Sequence, residues 1–374
     1  MKLSLNRESL THDFQTAAAV VPTRGTKDVL RYVKLAADDQ TTTLMATDTE
    51  LGIRIDIDNV QCDVPGAVLL PVARFGALLR ESTDETLYIE STDSGIVVRG
   101  DRFEVSFLSV DADEFPVVPG FDREAYHEMS ARMLRDLLHR TSFAADQENA
   151  RYAMGGVLLE MKGKQVTAVG TDGRRLAKMI GTAQPIGDHT TEGKTPVIPI
   201  RTVGILERSI GDMDGDVQVA MDDNEVLVRA GRMVFFSRLI SGRFPNWEAV
   251  IPQGDAGARI SLPVAPAYAA LRQAAIVATK ESRGIDFEFR EGTLRLSANA
   301  ADAGESRVEL PVAYEGSELS LRLDHQYVGD FLRVLEPERS FTLSAEDEEH
   351  PVLFSVDDGY QYVVMPLARP QVGG

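Results

Sequence analysis

The sequence predicts an α+β chain made of three copies of one module, each an antiparallel sheet with two helices on one side. Three observations carry this. A segment recurs: LMATDTELGIRI at residues 44–55, AVGTDGRRLAKM at 168–179, and a weaker echo, LRLSANAADAGESRVEL, at 294–310. Its flanks recur with it. VLLPVARFGALL (Val68 to Leu79) is answered by PVIPIRTVGILE (Pro196 to Glu207), and DADEFPVVP closes the first third as SGRFPNWEAVIP closes the second. Helical and alternating patterns also take turns within each third. A solenoid unit runs to about 20 to 50 residues; a repeat of roughly 120 is domain-sized. The predicted modules are residues 1–122, 123–253 and 254–374. Like modules joined head to tail form an arc, and arcs close into rings.

Apolar residues at helical spacing predict helices over 7–20, 72–82, 130–142, 201–210, 264–281 and 324–335. ARMLRDLLHRTSF is typical: Met133, Leu134, Leu137, Leu138 and Phe143 share one face, and Ser130 stands where an N-cap belongs. Between the helices lie alternating runs, among them GIVVRGDRFEVSF, VQVAMDDNEVLVRAGRMVFFSRLI, IDFEFREGTLRLSANA and RSFTLSAEDEEHPVLFSV. The DDNE and EG steps inside these runs read as hairpin turns. Linkers are predicted near 116–128 and 252–257, where Pro, Gly and acidic residues gather after a repeat ends.

Composition is that of a globular protein: 374 residues, 43% hydrophobic and 26% charged. The single cysteine, Cys62, excludes an intrachain disulfide framework. The first residues, MKLSLNRESLTHDF, lack the apolar stretch of a signal peptide, and no apolar run approaches the roughly 20 residues of a membrane span. A cytoplasmic, nucleoid-associated protein without membrane partners is expected. The net charge of −19 argues against nucleic acid if it is spread evenly. It is not spread evenly. The six helical spans carry eleven basic residues against eight acidic ones, so the acid excess belongs to strands and loops. Arginine suits helices for its own sake, which is the bland explanation. The functional one is a basic helical face on an acidic body, which would repel DNA everywhere except at that face.

Motifs for chemistry are missing. The six histidines do not pair at metal-ligand spacing. No nucleophile elbow, phosphate-binding loop or dinucleotide fingerprint occurs, so no cofactor is expected. GDMDGDVQVAMDDNE begins like a calcium loop at Asp212, Asp214 and Asp216. Its glycine comes at the fourth position instead of the sixth and Asp223 replaces the closing glutamate, so it reads as a solvated turn before a strand.

Three segments are more specific: RYAMGGVLLE with VTAVGTDGRRLAKM, then SGRFPNWEAVIP, then YQYVVMPLAR near the end. With the threefold repeat they closely resemble the bacterial DNA polymerase III beta subunit family, the sliding clamps, over essentially the whole chain. The resemblance implies a three-domain protomer forming half of a head-to-tail dimeric ring. Duplex DNA would pass through the hole without being read for sequence. The ring would do no chemistry of its own. Its partners would be the polymerase III catalytic subunit, clamp-loader subunits, and other polymerases, mismatch-repair proteins and ligase, held through short clamp-binding peptides. A basic face of modest strength suits sliding, because phosphate contacts from Arg and Lys are labile and salt-sensitive.

The same resemblance implies a peptide pocket at Met154, Thr171, Gly173, Arg174, Arg175, Leu176, Pro245, Val250, Val363, Val364, Met365, Pro366 and Leu367. It implies DNA contacts at Arg24, Arg74, Arg151, Tyr152 and Arg201, and a dimer interface of Val105 and Phe107 on an edge strand against Ile276 and Val277 on a helix. Read without the resemblance, VVMP is an ordinary buried terminal strand and each arginine a solvated surface residue. The chain departs from the family pattern at Arg174, often His, at Ala249, often Arg, and at Pro351, often Ser. Gly25 replaces a usual Pro, Ala153 a second aromatic, and a tail continues past Leu367. Two other functions stay open on the residues alone: a monomeric peptide-binding scaffold of the same fold, and an enzyme with carboxylates in a cleft between modules.

Overall fold

The computed structural model describes residues 1–23, 27–92, 95–146, 153–211, 213–252, 257–279, 282–300 and 303–368. Among the described residues six α-helices stand where the periodicity puts them: α1 Arg7–Ala18, α2 Val72–Glu81, α3 Ala131–Ser142, α4 Ile200–Ile210, α5 Val264–Ala274 and α6 His325–Arg333. The Ser130 hydroxyl accepts from Met133 N–H at 3.2 Å, the expected cap of α3. Helix α5 is shorter than predicted. It ends at Ala274, and Ala275–Val277 form a 3₁₀ turn closed by a hydrogen bond from Ala278 N–H to Ala275 C=O. Ile276 and Val277 therefore lie on this turn and not on a helix face. The β-branched pair is a poor continuation for an α-helix because its χ1 freedom is lost against the preceding turn.

The chain divides into two compact units, residues 1–135 with 183–239, and 136–182 with 240–374. The middle third is thus shared between them. The strand pairs described below are antiparallel. In the first unit, a five-stranded sheet runs in the order Gln61–Val64, Lys2–Asn6, Thr86–Thr92, Gly95–Arg99, Glu104–Phe107. A nine-stranded sheet carries the first third into the second, because Met233–Arg238 pairs with Leu51–Asp56. Helices α1 and α2 supply Leu10, Phe14, Phe75 and Leu79 to the core, with Phe14 and Phe75 edge to face at 5.0 Å. One charge is buried with them. Asp13 accepts from both terminal nitrogens of Arg232, at 2.7 and 2.9 Å, the bidentate geometry that a buried carboxylate requires.

In the second unit the order is Gly156–Lys162, Gln165–Thr171, Arg175–Thr182, Gln361–Val364, Val352–Ser355, Ser340–Ala345, Ala258–Pro263. The link between the middle and last thirds is Arg175–Thr182 against Gln361–Val364, with Leu176 opposite Val363. A separate four-stranded sheet runs Gly304–Pro311, Thr293–Ala300, Gly284–Arg290, Leu319–Asp324. Phe331 of α6 centres the aromatic core, stacked on Tyr360 and Tyr362 at 5.6 and 5.3 Å. The DDNE and EG turns are hairpin connections, as expected: Asp222 accepts from the N–H of Asn224 and Glu225, and Gly292 sits at φ 69°.

Candidate functional site

In the second unit a small apolar pocket of about 210 Å³ opens where the repeated TDGRRL turn meets the C-terminal strand. The turn is fixed first. Asp172 accepts from Arg174 N–H at 2.9 Å and Arg175 N–H at 3.0 Å, and the Thr171 hydroxyl donates to Arg175 C=O at 2.7 Å. Gly173 takes φ 85°, where a side chain costs energy and glycine does not. The turn then hands Leu176 to a sheet position beside Val363. Met365 N–H donates to Arg174 C=O at 3.1 Å, which pins the exit of the terminal strand to the turn. Val363 and Met365, two residues apart, share the pocket side. The segment after Phe244 adds Pro245, Trp247 and Val250.

Arg175 is the polar element of the wall. It donates to Asp172 at 3.0 Å, Asp330 at 2.6 Å and the Phe143 carbonyl at 2.8 Å. Its guanidinium lies over the Tyr327 ring at 4.5 Å. Burial works against its charge, but the carboxylates of Asp330 and Asp172 outweigh burial, so its pKa is raised and the cation is permanent. Tyr362, behind the wall, is pushed up by burial and stays neutral. The result is a small, mostly apolar slot with a fixed cation in its wall, suited to hydrophobic side chains on a peptide backbone.

Nine of the predicted pocket residues line it: Thr171, Gly173, Arg174, Arg175, Leu176, Pro245, Val250, Val363 and Met365. Four do not. Val364 is fully buried, since strand neighbours point to opposite faces. Met154 is also buried, while Pro366 and Leu367 run on beyond the pocket, with Leu367 N–H bound to Arg322 C=O at 2.7 Å. Trp247 lines the pocket and was not among the predicted residues, although FPNW was a recognised motif. The reading of VVMP as a buried terminal strand holds for Val363 and Val364, and stops at Met365, which is 41% exposed.

Of the arginines expected to meet DNA, Arg24, Arg151 and, with them, Tyr152 lie outside the described residues. Arg74, the third residue of α2, is exposed and makes no hydrogen bond or ion pair among the described residues. Arg201, the second residue of α4, is exposed but engaged by Asp48 and by the Val20 carbonyl at 2.8 Å. Val105 and Phe107 lie on Glu104–Phe107, the outer strand of its sheet, with Phe107 only 8% exposed. In the other unit Ile276 is 79% exposed on its 3₁₀ turn, beside the outer strand Gly304–Pro311, to which Ser306 ties Ala274 by a 2.6 Å hydrogen bond. Leu108, 81% exposed directly after Phe107, was not singled out from sequence. No metal-binding group of carboxylates, histidines or cysteine occurs among the described residues, and no helix is long and apolar enough to cross a membrane.

The comparisons with known proteins agree along the whole chain. Residues 1–119, 128–246 and 248–368 match the family models of the DNA polymerase III beta subunit N-terminal, central and C-terminal domains. The beta sliding clamp of Pseudomonas aeruginosa PAO1 is 29% identical, covering 98% of this chain and 100% of its own. That of Escherichia coli K12 is 27% identical with the same coverage. Among solved structures, the Pseudomonas aeruginosa sliding clamp bound to griselimycin superposes with a TM-score of 0.91 at 27% identity, over 99% of this chain and 100% of that one. The Bacillus subtilis clamp reaches 0.93 at 23% identity, with the same coverage, and speaks for the fold alone. The chain belongs to the DNA polymerase III beta subunit family, the beta sliding clamps, non-catalytic processivity factors of the replicative polymerase.

Proposed function

We propose that two protomers join head to tail into a ring around duplex DNA, and that the ring tethers polymerase and other replication and repair proteins through the pocket at Arg175. The observation that carries the reading is the union, in one apolar slot, of the TDGRRL turn and the terminal VVM segment, nearly 190 residues apart in sequence. A relative with this fold is known bound to griselimycin. The outer strand that carries Val105 and Phe107, followed by the exposed Leu108, and the exposed Ile276 beside another outer strand, support ring closure by edge pairing, which would also shield two aggregation-prone edges. Of the two described arginines expected to meet DNA, Arg74 is the one free for a loose phosphate contact, because no carboxylate holds it.

Two measurements test this. Clamp loaded onto nicked circular DNA should stay bound and should run off once the circle is cut; equal loss from both substrates overturns encirclement. Met365→Ala should weaken a pocket-binding peptide by about 1–2 kcal/mol and leave the protein dimeric in native mass spectrometry. Ile276→Ala with Val277→Ala should instead yield monomers and leave the peptide affinity alone.

A further inference from the structure

We infer that the bound peptide does not end at the pocket but continues past Val250 into a neighbouring cavity, which holds its flanking main chain; this rests on the pocket at Arg175 being the peptide site. The cavity is the larger of the two, about 570 Å³ against 210 Å³, and Val250 lines both. A pocket below about 300 Å³ is small for a specific ligand, so a linear peptide that fills it has residues left over. The floor leads them onward. One row of paired residues crosses the sheet from Leu176 to Val363, Leu353, Ser344 and Arg259. The first two floor the pocket and the last three line the cavity. Five neighbouring strands span about 19 Å, or about six residues of extended chain.

The chemistry of the floor selects main chain over side chain. The hydroxyls of Ser344 and Ser355 make no hydrogen bond among the described residues. Gln361, directly opposite Ser355, accepts from Lys178 Nζ at 3.1 Å through its oxygen, which leaves its amide N–H groups to donate into the cavity. These three uncharged groups complement peptide C=O and N–H in a lining that also carries Arg259, Glu346 and His350. Ala249 and Pro351, two of the positions that depart from the family pattern, both line the cavity. Ala249 is exposed on the turn Glu248–Val250, and an arginine there would reach across the cavity.

The test uses the full-length protein and capped peptides in fluorescence anisotropy. The probe is Ala-Leu-Ser-Leu-Phe, alone or lengthened by three alanines at either end. One of the two extensions should tighten binding about tenfold. Ala249→Arg, a surface change, should abolish that gain while leaving the pentapeptide affinity unchanged, and Ser355→Val with Gln361→Leu should reduce it. N-methylation of the added amides should also remove it. If the pentapeptide binds, and Met365→Ala weakens it, but neither extension gains, the cavity proposal is overturned and the pocket stands. If Met365→Ala leaves pentapeptide binding intact, or the pentapeptide does not bind, the pocket reading falls and this proposal falls with it.

Discussion

Residues 47–51 and 171–175 are two copies of one turn, and only the second lines the pocket at Arg175. The scaffold is the same bond for bond. Thr47 donates to Leu51 C=O at 2.8 Å as Thr171 donates to Arg175 C=O at 2.7 Å. Asp48 accepts from the N–H of Glu50 and Leu51 at 2.9 and 2.7 Å, as Asp172 accepts from Arg174 and Arg175 at 2.9 and 3.0 Å. The residue after the aspartate is left-handed in both, Thr49 at φ 81° and Gly173 at φ 85°. The side chains then part. Leu51 is core, 2% exposed, whereas Arg175 turns a carboxylate network into a pocket wall. The repeat supplies a rigid turn, and three differences, Gly173 for Thr49, Arg174 for Glu50 and Arg175 for Leu51, turn its second copy into a pocket wall.

The largest expected effect comes from making the second turn read like the first. Arg175→Leu removes one cation from Asp172, Asp330 and the Phe143 carbonyl together. Breaking a buried pair leaves charge and acceptors uncompensated, so we expect a loss of about 3 kcal/mol. Urea unfolding reads it, and an unchanged midpoint would show that the network is dispensable to the fold. Peptide binding should be lost as well, because the wall is gone.

A smaller effect separates the two aspartates. Asp48→Ala and Asp172→Ala each delete the acceptor for two turn N–H groups, at about 1 kcal/mol. Each also deletes an ion pair. The Asp48 partner, Arg201, is 49% exposed and the Asp172 partner, Arg175, only 11%. Exposed pairs are worth little because water screens them, so Asp172→Ala should cost about 1 kcal/mol more than Asp48→Ala. Equal costs would mean that the turn, and not the pair, dominates both.

How much of this was legible in sequence follows from which interactions are local. The turns were visible because TDTEL and TDGRRL carry their own hydrogen-bonding side chains, and the helices because periodicity marks their buried faces. Helix α5 was overrun at Ile276 because an apolar residue continues the pattern even where the backbone tightens to a 3₁₀ turn. Most of the pocket was visible through family motifs, which hold sequence-distant walls together. The period of two in YVVMP separates Val364, which faces the core, from Val363 and Met365, which face the pocket. Trp247 and the cavity beyond Val250 depend on where residues 245–252 lie on a sheet formed from distant strands. The pairing of Met233–Arg238 with Leu51–Asp56 is equally non-local. No short-range pattern encodes such pairings.

The smallest effect is the sharpest test of the comparison, since it exchanges the residues at the left-handed position. Thr49 is β-branched and exposed, and its conformation is one that β-branched residues avoid. Thr49→Gly should relieve about 1 kcal/mol or more of strain while adding somewhat less in unfolded-chain entropy, for a net gain of a few tenths. Gly173→Thr runs the other way. A Cβ at Gly173 meets nothing within 4 Å, so its cost, about 1 kcal/mol, is conformational and not steric. Thermal unfolding should therefore move up slightly for the first variant and down for the second. Gly173 also lines the pocket, so Gly173→Thr should weaken the pentapeptide, while Thr49→Gly leaves it untouched. Stability shifts of the same sign in the two variants would show that the matching hydrogen bonds conceal different backbones, and that the two turns are not one scaffold used twice.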